Sequence, residues 1–251
     1  MSGTILRVEK NQVYLQLSAA GSTGIPLANI DHIEMGAPDA VSRGLKAAEE
    51  GRTAEALSLL EPAATQFSGL PARWMEEALL QVGQCHLKLK NWAKAKERCE
   101  QFRQAYPQSV RVDLAVAGEG EALYRLNQSE AAQKTLAALV QGHENDVALT
   151  PEQNKAMGRA FLVLGLCHLA RQQDEQALQD FLSTTTLYDA DPEAVAEAQF
   201  QSALLFEKMN NLPRARGQLE ELLQAYPASV RVADAKKKLD SLPNKPSDTK
   251  L

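Results

Sequence analysis

The sequence predicts a mainly α-helical fold preceded by a small antiparallel β segment. Leu and Ala are abundant in the 251 residues and aromatic residues make up only 5%, a balance that favours helices over strands. Pairs of small residues recur at a constant spacing from about residue 40 onwards, which indicates repeated helical hairpins. Positions 3–35 instead alternate between apolar and polar side chains, as strands do.

Residues 1–36 are predicted to form three or four short strands. Turns are expected at Lys10-Asn11 and at Ala20-Gly21-Ser22, and the apolar positions between and after them are Ile5, Val8, Val13, Leu15, Leu17, Ile25, Leu27, Ile30 and Ile33. The segment resembles the later strands of a small SH3-like or Sm-like barrel without its first strand. So short a segment can hardly close a barrel, so we expect the sheet to pack on the first helices or to present an unpaired edge. Two alternatives are expected: a longer natural precursor, which could carry an export signal, or pairing of this edge with another chain, including a second copy.

The helical part contains five pairs of small residues, and the two members of each pair are separated by the same distance along the chain. Small side chains at one level let the two helices of a hairpin approach closely, with a polar turn between them. The pairs are Gly44 with Ala56, Gly83 with Ala95, Gly120 with Ala132, Gly165 with Ala177 and Ala203 with Ala215. A bulky apolar residue follows the second member by four positions in four pairs, at Leu60, Leu136, Phe181 and Leu219.

Two near-identical segments, "QAYPQSVRVDLA" at 104–115 and "QAYPASVRVADA" at 224–235, support the repeat. Together these features resemble the tetratricopeptide repeat over residues 38–242, with units like those of bacterial envelope-assembly and coordinator proteins. The resemblance implies a right-handed α-α superhelix of about five hairpins with a capping helix at 229–242.

The units depart from the family pattern in length and at one position. The first small residues stand at 44, 83, 120, 165 and 203, so every unit is longer than the usual repeat of about 34 residues. Cys99 stands where a bulky residue is usual. The longest interval, from Gly120 to Gly165, predicts an inserted loop near 141–153, and the polar tail 243–251 is predicted to be disordered.

A cysteine precedes a histidine twice, at Cys85–His86 and Cys167–His168, in the same register of two repeats. Adjacent residues on a helix point about 100° apart, so neither pair is expected to ligate one ion by itself. The favoured interpretation is packing between helices, and a metal- or thiol-dependent function is the alternative.

Composition and motifs exclude several other functions. The net charge of −5, with both signs interleaved, predicts no nucleic-acid partner. The longest apolar run, residues 160–170, is too short to span a membrane. The sequence carries no phosphate-binding glycine loop, HExxH or GxSxG, so we predict no enzyme activity, no cofactor and no metal. With no apolar signal segment and an odd number of cysteines, the chain as it stands is expected to be cytoplasmic; a removed leader would place it in the periplasm or envelope.

The favoured hypothesis is a non-enzymatic scaffold that binds a protein or extended peptide. The resemblance implies that first helices line a concave face, whose predicted binding residues are Leu80, Gln84, Leu87, Lys88, Glu121, Tyr124, Arg125, Leu162, Leu166, Leu169, Phe200, Leu204, Glu207 and Lys208. Cationic side chains there could pair with acidic groups and apolar ones could hold anchors. An adaptor for a cytoskeletal filament, like the kinesin light chains, is an alternative. The convex face and the loop between the third and fourth repeats stay open as binding surfaces.

Overall fold

The computed structural model describes residues 4–18, 21–30 and 33–243. Over this part of the chain, three strands precede eleven α-helices: β1 Thr4–Glu9, β2 Gln12–Ser18, β3 Gly21–Pro26, α1 Asp39–Glu49, α2 Thr53–Gln66, α3 Arg73–Lys88, α4 Trp92–Ala105, α5 Val112–Arg125, α6 Ser129–Gly142, α7 Pro151–Ala170, α8 Asp174–Thr186, α9 Pro192–Lys208, α10 Leu212–Ala225 and α11 Val232–Ser241. The prediction of a helical-hairpin fold with an N-terminal antiparallel sheet is confirmed. Residues 244–251 of the predicted tail lie outside the described residues.

The chain divides into two compact units. Unit 1, Met1–Leu126, contains the sheet and helices α1–α5, and unit 2, Asn127–Leu251, contains α6–α11. The third predicted hairpin is therefore shared, with α5 in unit 1 and α6 in unit 2.

The sheet has the order β1-β2-β3 with both pairs antiparallel. A bulge between Ile5 and Arg7 lets Ile5 pair with Leu15 and Val8 pair with Val13. Ile5 and Val8 are three residues apart in β1, whereas their partners Leu15 and Val13 are two residues apart in β2. The bulge accommodates the extra residue of β1, so Ile5 and Val8 lie on the same face of the sheet. Leu27–Asn29 form a 3₁₀ turn where a fourth strand was a possibility.

The sheet is attached to the helices through the bulge. The Gln66 side chain on α2 donates a hydrogen bond from Nε2 to the carbonyl oxygen of Leu6, at 2.6 Å. Strands β1 and β3 form the two edges. Pairing of an edge with a second copy stays a prediction.

Each hairpin turn contains one residue in the left-handed backbone region. This residue always follows the first small residue of the hairpin by the same number of positions. The five are Gly51, Lys90, Asn127, Gln172 and Asn210. The turn after α3 shows the geometry, because the N–H of Asn91 donates to the carbonyl of His86 and that of Lys90 to Leu87. This double closure is a Schellman motif, and the turns after α1, α7 and α9 repeat it. The repeat register thus follows from backbone chemistry as well as from packing.

The first small residue of a pair faces the bulky residue on the second helix of its hairpin. A Cβ added to Gly44 would lie 2.7 Å from the Leu60 side chain, and one on Gly165 would lie 2.5 Å from the Phe181 ring. The second small residues are fully buried, at Ala56, Ala95, Ala132, Ala177 and Ala215. Close approach of the two helices is therefore the reason for the constant spacing within each pair.

The duplicated "AYPxSVRV" segments build similar junctions in the two units. The Ser109 hydroxyl donates to the Glu76 carboxylate at 2.7 Å, and Ser229 donates to Glu193 at 3.0 Å. Each serine oxygen also accepts the backbone N–H two residues on. The serine thus fixes the loop to the first helix of the preceding hairpin.

The long interval between Gly120 and Gly165 arises from a loop and a longer helix. Residues 143–150 connect α6 to α7, and α7 is 20 residues long. A capping box starts α7, because Thr150 accepts the N–H of Gln153 while the Gln153 side chain accepts the N–H of Thr150. The inserted loop predicted near 141–153 is therefore present at this position.

Candidate binding surfaces

Unit 1 places the predicted residues of α3 at different depths. Leu80 and Leu87 are buried, with 7% and 8% exposure, so they offer little surface to a ligand. Gln84 is half-buried and Lys88, at the end of the helix, is exposed. Of these four residues, Lys88 presents the most accessible polar group.

An aromatic and cationic group lies at the end of α5. The guanidinium of Arg125 lies 5.7 Å from the centroid of the Trp92 ring and 5.8 Å from that of Tyr124. Both distances are within the range of cation–π attraction. Arg125 is exposed, whereas Tyr124 and Glu121 are half-buried. Because α3 and α5 contact each other and Lys88 and Arg125 occupy the same register position, their cationic groups lie at the same end of adjacent helices.

Unit 2 pairs most of its predicted charges internally. Lys208 forms an ion pair with Asp174 at 2.5 Å, and Glu207 pairs with Lys238 on α11. Phe200 lies beneath the Arg231 guanidinium, at 5.0 Å. Leu204 is half-buried. The leucines predicted to line the groove on α7 pack against a core cluster that includes Phe181 and Leu205, and they are Leu162, Leu166 and Leu169.

The cysteines of both Cys–His pairs are buried core residues. Cys85 is 1% exposed and Cys167 is fully buried. Burial raises the pKa of the Cys85 thiol, and it raises the pKa of Cys167 to about 11. Both groups are therefore thiols near neutral pH, whereas the nucleophile and metal ligand is the thiolate.

His86 closes the junction between α2, α3 and α4. Its Nε2 lies 3.3 Å from a Glu61 carboxylate oxygen, and its Nδ1 lies 3.5 Å from the Asn91 amide nitrogen. Arg98 on α4 donates to Glu61 at 2.6 Å and to Thr65 at 3.1 Å. Because the carboxylate only accepts, the neutral imidazole carries its proton on Nε2. Burial lowers the pKa of His86, opposed by the charge of Glu61.

His168 lies between α6, α7 and α8, and its two ring nitrogens have the opposite hydrogen-bonding roles to those of His86. Arg171 donates to the Gln133 oxygen at 2.5 Å, so the Gln133 amide nitrogen faces His168 Nε2 at 3.0 Å and donates to it. The Nδ1–H of His168 therefore donates to Asp180, at 2.7 Å. Burial raises the pKa of Asp180, opposed by the hydrogen bond from His168.

A cleft of about 880 Å³ opens beside His168, and we name it the α6–α8 cleft. It is lined by residues of α6, the 143–149 loop and α7, by Asp180 of α8, and by Leu187 and Tyr188, which follow α8. The lining residues are Gln133, Ala137, Val140, Gln141, His143, Glu144, Asp146, Val147, Ala148, Leu149, Asn154, Met157, Phe161, Leu164, His168, Asp180, Leu187 and Tyr188. The α7 residues that line the cleft and the predicted leucine stripe lie on different sides of α7, with mean directions roughly 130° apart around the helix.

None of the cleft residues was among the individually predicted binding residues, although the loop between the third and fourth repeats, which contributes to the cleft, stayed open as a binding surface. The signal that pointed near them was the long interval between the third and fourth repeats, which indicated an insertion but not a cavity. Phe161 and Tyr188 stack in the cleft wall, with ring centroids 5.1 Å apart and planes 9° from parallel. Sequence spacing could not indicate this contact, because the whole of α8 separates the two rings along the chain.

Two further features concern the part of the chain that the structure describes. No helix in it is long and apolar enough to cross a membrane. No three His, Cys, Asp or Glu side chains in these ranges converge to hold a metal ion.

Comparison with known families decides how the hairpins are classified. Family models described as tetratricopeptide repeats match residues 47–118 and residues 197–229. These two segments of the chain are similar to tetratricopeptide repeats. The matched segments reach from the end of α1 into α5 and from α9 to the start of the "SVRV" junction. The tetratricopeptide models leave residues 119–196 unmatched, and the α6–α8 cleft lies within that stretch.

The structures of NprR share the fold of this chain at low sequence identity. The quorum sensor NprR from B. thuringiensis in its apo form is 13% identical, with a TM-score of 0.62 over 80% of this chain and 56% of that one. NprR in complex with its cognate peptide NprX gives a TM-score of 0.61 at 13% identity, over 80% of this chain and 58% of that one. MamA (41-end) from Desulfovibrio magneticus RS-1 is 17% identical over 82% of this chain and all of that one, with a TM-score of 0.47. No curated protein is significantly similar in sequence.

Proposed function

We propose that this chain is a non-enzymatic scaffold whose tetratricopeptide repeats bind a protein or an extended peptide. The observation that carries the proposal is the paired position of Lys88 and Arg125 on the adjacent helices α3 and α5. The fold also supports it, since NprR shares the fold and has been solved with a peptide. A partner with acidic groups would fit this end of unit 1.

The neighbouring side chains give the surface a mixed character. Arg125 lies over Trp92 and beside Tyr124, so an aromatic platform flanks this cation. Gln84, one turn before Lys88, adds an amide that can donate to and accept from a peptide backbone. Such a surface holds a peptide by backbone hydrogen bonds and selects it by charge.

The test is a charge-reversal variant, Lys88→Glu with Arg125→Glu. Partners are captured by the purified full chain, identified by mass spectrometry, and then measured as purified proteins by calorimetry. We expect the variant to bind the identified partner at least about tenfold more weakly, with a difference that shrinks at high salt. The control is Lys94→Glu with Lys134→Glu, which makes the same change in net charge at exposed sites on α4 and α6. Equal affinities of both variants and the wild type would contradict the proposal.

A further inference from the structure

The α6–α8 cleft combines an apolar wall with carboxylates. Val140, Met157 and Leu164 supply aliphatic surface, and the stacked Phe161 and Tyr188 rings supply aromatic surface. The volume of about 880 Å³ is that of a site for a drug-sized ligand or a few peptide residues.

The charged residues of the cleft have one sign. Glu144, Asp146 and Asp180 line it, and no lysine or arginine is among the described residues that do. The two imidazoles in the wall each bond to one carboxylate, His143 to Asp146 at 2.6 Å and His168 to Asp180 at 2.7 Å. Because the charged side chains that line the cleft are carboxylates, the cleft is electrostatically suited to a cation.

Unit 1 shows which cation fits such a junction. Counted from the small residues Ala95 and Ala177, Arg98 and Asp180 occupy the same register position. In unit 1, the Arg98 guanidinium spans the space between α2 and α4 and bonds to Glu61 beside His86. In unit 2 the residue in the register of Glu61 is Ala137, so both members of this ion pair are missing from the junction.

We propose that the α6–α8 cleft binds an arginine-bearing segment of a partner peptide, with the guanidinium beside Asp180 and apolar neighbours against Phe161 and Tyr188. The partner's arginine takes the place that Arg98 fills in unit 1. A planar guanidinium can also stack on the aromatic pair, which an ammonium does less well.

The state of Asp180 supports this assignment. Burial raises the pKa of its carboxyl group, which means that the ionised form lacks full solvation in the free protein. A bound cation would compensate that loss. Its charge-assisted hydrogen bond would also leave the existing bond from His168 in place, because a carboxylate accepts several donors.

This site is separate from the surface of the proposed function. Lys88 and Arg125 are cationic and lie in unit 1, whereas the cleft is acidic and lies within unit 2. Loss of one site therefore need not affect the other, and the experiments distinguish them.

The experiment uses the full chain, isotope-labelled for NMR, and the acetylated tripeptide amide Leu-Arg-Leu as the probe. The matched probe replaces arginine by citrulline, which keeps the shape and removes the charge. We expect shift changes confined to residues lining the cleft, and at least about tenfold weaker binding of the citrulline peptide.

Two variants test the residues. Asp180→Asn should weaken binding of the arginine peptide to about that of the citrulline peptide, while Asp240→Asn, the same change at an exposed site on α11, should leave it unaltered. Ala137→Glu with Asp180→Arg should rebuild the unit 1 ion pair, fill the cleft and abolish binding. Circular dichroism establishes that each variant is folded. If Asp180→Asn is not folded, Glu144→Gln on the exposed loop replaces it and should weaken binding about twofold to threefold.

Equal affinity for the arginine and citrulline peptides would overturn the proposal, as would undiminished binding in the double variant. Shift changes outside the cleft would also overturn it. Lys88→Glu with Arg125→Glu should leave binding of the tripeptide unchanged, so failure of the unit 1 proposal gives a different result from failure of this one.

Discussion

His86 and His168 occupy the same position in two repeats, yet one junction is closed and the other is open. Around His86, Glu61 and Arg98 connect α2 to α4 across α3. Around His168, no such pair connects α6 to α8, and the cleft lies between them. The imidazoles also hold their neutral proton on different nitrogens, because a carboxylate faces Nε2 of His86 and Nδ1 of His168.

The difference shows that repeat register and repeat chemistry are separable. The backbone turns after α3 and α7 have the same Schellman closure, so the hairpins are alike. The side chains that meet between neighbouring hairpins are not alike, and they decide whether a repeat protein presents a closed surface or a site. Two replacements accompany that outcome, because Asp180 stands in the register of Arg98 and Ala137 in that of Glu61.

The largest expected effect tests the hairpin packing beneath the two junctions. Gly165→Ala should lower the free energy of unfolding by about 2 kcal/mol, because its Cβ would lie 2.5 Å from the buried Phe181 ring. Gly83→Ala should change it by less than about 0.5 kcal/mol, since contact with Cys99 Sγ at 3.1 Å is partly offset by about 1 kcal/mol of helix propensity. Urea unfolding followed by circular dichroism measures both.

Tryptophan fluorescence provides a control for the comparison of Gly165→Ala with Gly83→Ala, because it reports on unit 1 alone. Trp74 and Trp92 are the only tryptophans, and both lie in unit 1. The fluorescence transition should therefore be insensitive to Gly165→Ala if the units unfold independently. Equal destabilisation by the two glycine substitutions would show that Cys99 and Phe181 fill their sites equally tightly, against the contact distances.

The next effect breaks the closed junction. Arg98→Ala should lower the free energy of unfolding by about 1–2 kcal/mol, because Glu61 loses a partly buried charge-assisted hydrogen bond and Thr65 loses an exposed one. Gln133→Ala, which removes a side chain from the open junction, should change it by less than about 1 kcal/mol. The same urea experiment compares them. A larger loss from Gln133→Ala would mean that the open junction is the more tightly coupled of the two.

The smallest effect is a pH dependence centred on His86. Because its folded pKa is lowered from the ordinary value of 6.5, the unfolded chain takes up a proton at a pH where the folded chain does not. Stability is thus expected to be full above about pH 6.5 and to fall as the pH decreases towards the folded pKa. The charged groups around the imidazole are Glu61, which opposes the shift, and Lys94 and Arg98, which add to it.

The measurement is the free energy of unfolding between pH 8 and pH 5, for the wild type and for His86→Gln. At pH 8 the imidazole is neutral in both folded and unfolded chains, so the difference there is the effect of the substitution itself. The difference should shrink as the pH falls, because only the wild type loses the contribution of His86. A constant difference across the range would refute the assignment.

Local features let the sequence determine the hairpins. The small residues, the left-handed turn and the bulky residue that closes each hairpin all lie within one pair of consecutive helices, so their spacing follows directly from helix geometry. The same reasoning placed the two Cys–His segments in register, through Gly83 with Ala95 and Gly165 with Ala177. It also assigned those pairs to packing, which agrees with the burial of Cys85 and Cys167.

Only the tertiary structure decided where the open surface lies. The cleft depends on side chains from α6, the 143–149 loop, α7 and α8, and its two aromatic rings come from segments on either side of α8. It also depends on which side of α7 faces α9. The two sides are roughly 130° apart around the helix and both carry apolar residues, so the sequence pattern does not choose between them. Leu80 and Leu87 show the same limit of sequence reasoning. A leucine in a binding groove and a leucine in the core cannot be told apart from the sequence, and only the packing shows that these two are buried.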